Sequence, residues 1–160
     1  MITGANGKTN AAFPERLWVR KADVKQRIAE YEAFVAAAED ENRRKNYTKV
    51  LDSWKEKLTT IDLLGGDYKE LPPSALISMQ NDNATTYDTY LQVQNELQSA
   101  VNELRDELAI AKFGRTYKEL EDLYDRNSED KSLLDKIIAV RSVYPQRISE
   151  AEPREGSTYY

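Results

Sequence analysis

Residues 4–9, with the sequence Gly-Ala-Asn-Gly-Lys-Thr, are the segment whose residue types most clearly suggest chemistry. A glycine-rich loop that ends in lysine and threonine can hold phosphate groups when it joins a strand to a helix N-terminus. The residues that follow, up to Pro14, do not start a helix, and Ile2 stands where the phosphate-loop pattern requires a glycine. The sequence therefore favours a simple glycine turn over a nucleotide site.

Two pairs of carboxylates lie one helical turn apart: Glu103 with Asp106, and Glu119 with Asp122. Neighbouring acids can perform acid–base catalysis when one of them keeps its proton near neutral pH. Both pairs lie beside a basic residue, Arg105 or Lys118, on faces that are otherwise polar. We therefore expect solvated faces with weak ion pairs, and no catalytic dyad.

Histidine and cysteine are both absent from the 160 residues. Their absence removes disulfides, thiolate chemistry, most zinc and non-haem iron sites, and hydrolysis by a serine–histidine–aspartate triad. The sequence therefore predicts no catalytic residues, no cofactor and no metal site. We expect a chain that is not an enzyme in its own right.

The charge balance is acidic, with 28 Asp and Glu against 23 Lys and Arg and a net charge of −5. Phosphate backbones repel such a chain, and no basic stripe with interleaved aromatic residues is present, so we predict no nucleic-acid partner. No window approaches the roughly 20 apolar residues that a membrane helix needs. The N-terminus also lacks the basic and apolar regions of a signal peptide, so we expect a soluble chain.

Apolar residues recur at spacings of three and four in several segments, which is typical of amphipathic helices. The first two faces cover residues 24–38 and 47–61, and the glycines at 65–66 end the second. The polar stretch 39–46 between them is either a loop or an exposed helical segment. Shorter faces predict helices at 117–124 and 133–144, with a loop at 125–130 between them and Pro145 after the second.

The longest apolar face has a regular repeat in which only Gln94 is polar, at Tyr87, Tyr90, Gln94, Leu97, Val101, Leu104, Leu108 and Ala111. Thr85 and Asp88 predict a capping box at its start, and Lys112 and Gly114 mark its end. This face suits either a coiled-coil seam or packing on a sheet. We favour packing on a sheet because a predicted strand comes directly before the helix.

Short runs of β-prone residues predict strands at 16–20, 75–80 and 146–149, the second closed by a turn at 81–83. Few strands among several helices predict an α+β fold that is helix-rich, with a small β-sheet and helices packed on one face. We expect a single domain over residues 1–153, and the segment 154–160 is predicted to be a flexible tail.

Four short sequence strings follow one another in the second half of the chain: LISMQND at 76–82, TYDTYLQVQNEL at 86–97, NELRDE at 102–107 and YPQRISEAEP at 144–153. In that order they resemble one branch of the ExbD/TolR family of biopolymer transport proteins. Residues 17–20 and 22–34 are compatible with the family's earlier strand and helix. Residues 39–73 have no counterpart there, and we interpret them as a helical insertion.

The resemblance implies a periplasmic domain that one helix, bearing an acidic residue, anchors in the inner (cytoplasmic) membrane. Such subunits act as dimers with an ExbB-like channel subunit and a TonB-like protein, and they convert proton flow into work on outer-membrane receptors. If the resemblance holds, the sequence starts after the membrane helix, with Met1 added, and lacks the acid of the proton path. The family also implies a fold of helices packed on a small sheet.

The resemblance also makes the strands candidates for partner binding, because an unpaired strand edge can accept a further strand through main-chain hydrogen bonds. We expect such an edge at one of two places: Leu76, Ile77, Ser78, Met79 and Gln80, or Gln146, Arg147, Ile148 and Ser149. Two other functions remain open. One is a TolR-like subunit that binds the cell wall, and the other is a free-standing helical adaptor without a sheet.

Overall fold

The computed structural model describes residues 16–72, 77–80 and 86–151, with the backbone alone at 77–80 and 148–151. Four sequence-based predictions therefore concern residues outside the described ones: the string at 4–9, the turn at 81–83, the capping residue Thr85 and the tail at 154–160. Leu76 also lies outside them. The described part is helix-rich with short strands, which confirms the coarse α+β prediction.

The first half of the described chain is a unit of two strands and two helices. Strand β1 (Leu17–Val19) leads into helix α1 (Lys21–Ala37), the segment 38–40 leads to helix α2 (Glu41–Leu64), and strand β2 (Tyr68–Glu70) follows. The helical hairpin returns β2 to β1, and the two strands pair antiparallel with Val19 opposite Tyr68. Since α2 begins at Glu41, most of the polar stretch 39–46 is an exposed helical segment.

Local residue chemistry fixes the two ends of α2. The carboxylate of Asp40 accepts hydrogen bonds from the amides of Asn42 and Arg43, which would otherwise be unpaired at the helix N-terminus. Gly65 ends the helix in the left-handed region, at a φ of 82°, where a residue with a Cβ would be strained. Asp67 then receives a 2.8 Å hydrogen bond from the amide at the start of α1, so the turn into β2 also caps that helix.

The first hydrophobic cluster covers one face of the β1–β2 pair. Its buried members are Val19, Val24, Ile61, Leu64, Tyr68 and Val143. The opposite face carries Trp18, which is 55% exposed and lies with its ring 4.8 Å from the Lys69 ammonium. Helices therefore pack on the face of this strand pair that carries Val19 and Tyr68.

The second half of the described chain begins and ends with strands. Its elements are β3 (Ile77–Gln80), α3 (Tyr87–Phe113), α4 (Tyr117–Arg126), α5 (Lys131–Val143) and β4 (Ile148–Ala151). Strands β3 and β4 pair parallel, an arrangement that requires a long crossover, here the three helices. The prediction of one small sheet is therefore wrong in detail, because the described strands form two separate pairs. The α1–α2 hairpin pairs β1 with β2, whereas β3 and β4 pair with each other.

A second hydrophobic cluster lies where α3, α4 and α5 meet. Its buried members are Ala109, Tyr117, Leu120, Ile137 and Val140. Leu108 and Phe113 of α3 pack against both this cluster and the first one. These two side chains therefore join the two halves of the chain into one packed body.

The buried face of α3 differs from the predicted face in its C-terminal half. Leu104 is 43% exposed and Ala111 is exposed, whereas Arg105 and Ala109 are buried. A seven-residue repeat drifts by about 20° per heptad on a straight α-helix, so the predicted face gradually turns away from the side that carries Arg105 and Ala109. The drift explains how Arg105, expected on a solvated face, comes to lie inside the protein.

Two helix starts in this half depend on threonine. Thr86, and not the predicted Thr85, precedes α3, and its hydroxyl accepts from the amide of Thr89 at 3.3 Å. At α4, Thr116 and Glu119 form a reciprocal capping box that the sequence analysis missed, although its T-x-x-E spacing is visible. The hydroxyl of Thr116 accepts from the amide of Glu119, and the Glu119 carboxylate accepts from the amide of Thr116, both at 3.1 Å.

The substitution Thr116→Ala is expected to lower the free energy of unfolding by about 1 kcal/mol, because one capping hydrogen bond is lost and the other loses its support. Urea unfolding followed by circular dichroism measures the change. Ser53→Ala, at an exposed position inside α2, is the matched control and is expected to change stability by at most about 0.5 kcal/mol. Equal values for the two variants would contradict the capping role.

Candidate functional site

The parallel pair of β3 and β4 brings together two of the strands that the sequence analysis selected. The register sets Ile77 opposite Ile148 and Ser78 opposite Ser149, and two further residue pairs follow. The first and last of the four family-like strings therefore lie side by side, although some 70 residues separate them in the sequence. Among the described strands each of the two has one partner, so each keeps an outer edge.

Gln146 and Arg147 do not belong to the strand, which corrects the prediction for residues 146–149. The ladder starts at Ile148 and continues to Ala151, while the two preceding side chains form hydrogen bonds with other parts of the chain. Nη1 of Arg147 donates to the carbonyl oxygen of Leu71 at 3.3 Å and also to that of Pro72. Gln146 donates to the side chain of Gln98 on α3.

The turn between α5 and β4 is held by arginines from both halves of the chain. Arg16 donates to the carbonyl of Val143 at 2.9 Å, and its guanidinium lies 5.1 Å from the ring of Tyr144. Nε of Arg105 donates to the carbonyl of Tyr144, also at 2.9 Å. These bonds satisfy carbonyls at the end of α5, and they fix the position from which β4 departs.

A polar cavity of about 590 Å³ opens beside this turn. We name it the arginine cleft, and its lining residues are Gln98, Asn102, Arg105, Tyr117, Glu121, Arg141, Pro145 and Gln146. Helices α3, α4 and α5 each contribute to its walls, and the two residues that precede Arg147 close one side. The cleft therefore lies at the junction of the three crossover helices and the chain that leads into β4.

Arg105 is the most unusual residue of the arginine cleft, because a charged side chain is only 6% exposed there. Its guanidinium lies 5.0 Å from the centre of the Tyr117 ring. No ion pair engages it within residues 16–72 and 86–147, whose side chains the structure describes. Burial lowers the pKa of Arg105, and the nearby Arg141 lowers it further. Tyr117 and Glu121 raise it, but by less, so the net shift is downward.

Arg141 has a different environment in the same cleft. Its Nη2 atom donates to Glu121 at 3.0 Å, and its Nε atom donates to the hydroxyl of Tyr117. Burial by itself would lower the pKa of Arg141. The hydrogen bonds and charges of Tyr117 and Glu121 have the larger, opposite effect, so the pKa of Arg141 is raised. The pKa of Tyr117 is also raised, first by burial and then by the Glu121 carboxylate, so its hydroxyl stays neutral at physiological pH.

Three of the four carboxylates in the sequence-selected pairs take part in contacts within the fold. Asp106 accepts a 2.8 Å hydrogen bond from the amide of Tyr117, and Glu119 belongs to the capping box. Asp122 forms a 3.4 Å ion pair with Lys118 on the solvated surface. The expectation of surface ion pairs is confirmed for Asp122, while Arg105 is the exception.

Sequence reasoning missed the arginine cleft because its residues come from three helices and share no local motif. Gln98, Asn102 and Arg141 each look like ordinary surface residues of an amphipathic helix. One signal was present: correcting the apolar repeat of α3 for its drift moves Arg105 onto the buried side. A single basic residue on a buried face of a helix indicates a buried polar contact or a ligand.

Among the described residues, no group of three or more acidic side chains is placed to hold a metal ion. Within the same residues, no helix is long and apolar enough to cross a membrane. Comparison of the chain with protein-family models, with curated proteins and with solved structures found no match.

Proposed function

We propose that this chain is the periplasmic domain of an ExbD-like subunit in a proton-motive-force-driven energy-transduction complex of the TonB–ExbB–ExbD type. The proposal rests first on the four strings between residues 76 and 153, which in that order resemble one branch of the ExbD/TolR family. It places the domain in the periplasm, tethered to the inner membrane, with an ExbB-like channel subunit and a TonB-like protein as partners. A second copy of the subunit completes the assembly.

The observation that carries the proposal is the parallel pairing of β3 with β4. The first and the last of the four family-like strings supply these strands. Two strings that are distant in the sequence therefore lie side by side in the structure. A two-stranded pair with two outer edges is a ready acceptor for a further strand. Main-chain hydrogen bonds from the added strand supply affinity, and they need no catalytic residue.

In this proposal the domain works by association and carries out no bond chemistry. A partner strand that joins the β3–β4 pair applies force to β4, and the bonds of Arg147 to Leu71 and Pro72 transmit that force to the first half of the chain. The bond from Arg105 to Tyr144 transmits it to α3. The strand pair is therefore anchored to both packed halves.

The two alternative functions differ from the proposed one in the fold or in the ligand that they require. A sheetless helical adaptor differs from this fold, in which two strand pairs are present. A TolR-like subunit would bind the cell wall, and a pull-down of the purified domain with peptidoglycan sacculi separates that role from the TonB type. Retention on the sacculi at physiological salt would favour the TolR-like alternative.

The test of the proposal is photo-crosslinking in the full-length subunit within its assembled complex. A photoreactive residue at Ser78 or at Ser149 is expected to capture a TonB-like protein or a second copy of the subunit. The same residue at Ser53, exposed on α2, is the control and is expected to capture neither. If Ser78 and Ser149 give no more adduct than Ser53, the strand pair is not the partner surface and the proposal loses its support.

The upstream coding sequence gives an independent check. The proposal expects one membrane helix with a single acidic residue ahead of this domain. A parent gene that encodes no such helix contradicts the membrane-tethered role, whatever the strand pair binds.

A further inference from the structure

The arginine cleft holds more positive charge than its lining residues neutralise. Arg105 and Arg141 contribute two cations, and Glu121 contributes the one carboxylate among the eight lining residues. Glu121 lies 3.0 Å from Arg141 and so compensates that residue. Arg105 forms no ion pair inside the cleft, and Glu121 acts on it only from a longer distance.

A buried guanidinium without a counter-charge is costly, because desolvation removes water from a group that remains ionised. Nε of Arg105 donates its hydrogen bond to the carbonyl of Tyr144, and the Tyr117 ring covers one face of the guanidinium. In the described part of the chain no hydrogen bond engages its Nη1 or Nη2 atom. Those donors are therefore available to a ligand in the cleft.

We infer that the arginine cleft is a binding site for a carboxylate group, held by the free donors of Arg105. A carboxylate matches the planar guanidinium fork and forms short, charge-assisted hydrogen bonds with it. One negative charge balances the cleft, whereas a phosphate dianion would exceed that balance and be repelled by Glu121. The charge count therefore favours a monoanion such as a carboxylate over a phosphate dianion.

The rest of the lining indicates what carries the carboxylate. Gln98, Asn102 and Gln146 present side-chain amides, which both donate to and accept from peptide groups. Pro145 adds an apolar surface beside them. The volume of about 590 Å³ lies within the range of roughly 300–1,000 Å³ typical of small-ligand sites. The ligand class is therefore a short peptide with a free carboxylate.

This site is separate from the strand edges, and it does not rest on the proposed function. The cleft can bind a carboxylate whether or not a partner strand joins β3 or β4. Conversely, failure of the crosslinking at Ser78 and Ser149 leaves the charge balance of the cleft unchanged.

The test uses NMR of the whole 15N-labelled chain, following the Nε–H signal of Arg105 and the side-chain amides of Gln98 and Asn102. The probes are N-acetyl-alanyl-alanine, its C-terminal amide, acetate and inorganic phosphate. We expect saturable shifts with the dipeptide and none with its amide, which lacks the charge. Tighter binding of the dipeptide than of acetate supports the peptide ligand, and equal binding assigns the site to small carboxylic acids.

Variants that keep the fold connect the shifts to the cleft. Asn102→Asp places a negative charge in the wall with almost no change in shape, and it is expected to weaken dipeptide binding at least about tenfold. Asn95→Asp, exposed on α3 away from the cleft, makes the same charge change and is expected to have no effect. Glu121→Gln removes the competing carboxylate and is expected to strengthen binding.

Three results would overturn the inference. The first is equal shifts with the dipeptide and its amide, and the second is equal affinities of the Asn102 and Asn95 variants. The third is tighter binding of phosphate than of the dipeptide, since the cleft would then accept more negative charge than one carboxylate supplies.

Discussion

Replacing Ile61 with alanine is expected to lower the free energy of unfolding by about 3 to 4 kcal/mol. Ile61 is 1% exposed and lies in the cluster that joins α2 to both strands of the β1–β2 pair, to α1 and to α5. Removing its outer carbons leaves a cavity that the surrounding helices fill only in part. The loss comes from the transfer of the removed groups and from the contacts that their neighbours no longer make.

Urea unfolding at fixed protein concentration measures the effect of Ile61→Ala. Ile110→Ala on α3 is the matched control, because Ile110 is 53% exposed, and its expected cost is below about 1 kcal/mol. The comparison also tests the interpretation of residues 39–73 as an insertion. A peripheral insertion would give two similar values, whereas a segment that completes the core gives a large difference.

The helices could be predicted from the sequence because their signals are local. Val24 and Ile28 repeat at the helical spacing, and Gly65 and Gly114 both adopt the left-handed conformation that ends a helix. The strand at 17–19 was also found, since β-prone residues cluster there. These features depend only on neighbours within one or two turns.

Pairing between strands could not be predicted in the same way. The partner of β1 is β2, a three-residue strand whose sequence, Tyr-Lys-Glu, has no alternating apolar pattern. Its pairing follows from the length and direction of the α1–α2 hairpin, which sequence periodicity does not specify. The β3–β4 pair depends likewise on the packing of three helices between its strands.

The start of β4 shows how tertiary contacts override a local pattern. Residues 146–149 looked like a strand, but Arg147 forms hydrogen bonds with carbonyls more than 70 residues away in the sequence. Arg105 is a similar case, because the Tyr117 ring that covers its guanidinium belongs to a different helix, α4. In both cases a charged side chain forms the contact, and a hydrophobic pattern does not detect charged anchors.

Cysteine substitution offers the most direct test of the β3–β4 register. The double variant Ser78→Cys/Ser149→Cys is expected to form a disulfide within one chain, because these residues are Cα partners in the parallel pair. Neighbouring strands lie about 4.8 Å apart, which is within the Cα separation that a disulfide spans. The bridge would close a loop of about 70 residues and stabilise the protein by up to about 4 kcal/mol.

Peptide mapping by mass spectrometry with and without reductant identifies the bridge, and urea unfolding in the two states measures its effect. The variant Ser78→Cys/Ala151→Cys is the control. Ala151 pairs with Gln80, so its Cα lies about 8 Å from that of residue 78, too far for a disulfide without backbone movement. If both variants form the bridge equally well, or neither does, the strands are not held in this register. The outer edges proposed for a partner strand would then lack the fixed backbone that strand addition requires.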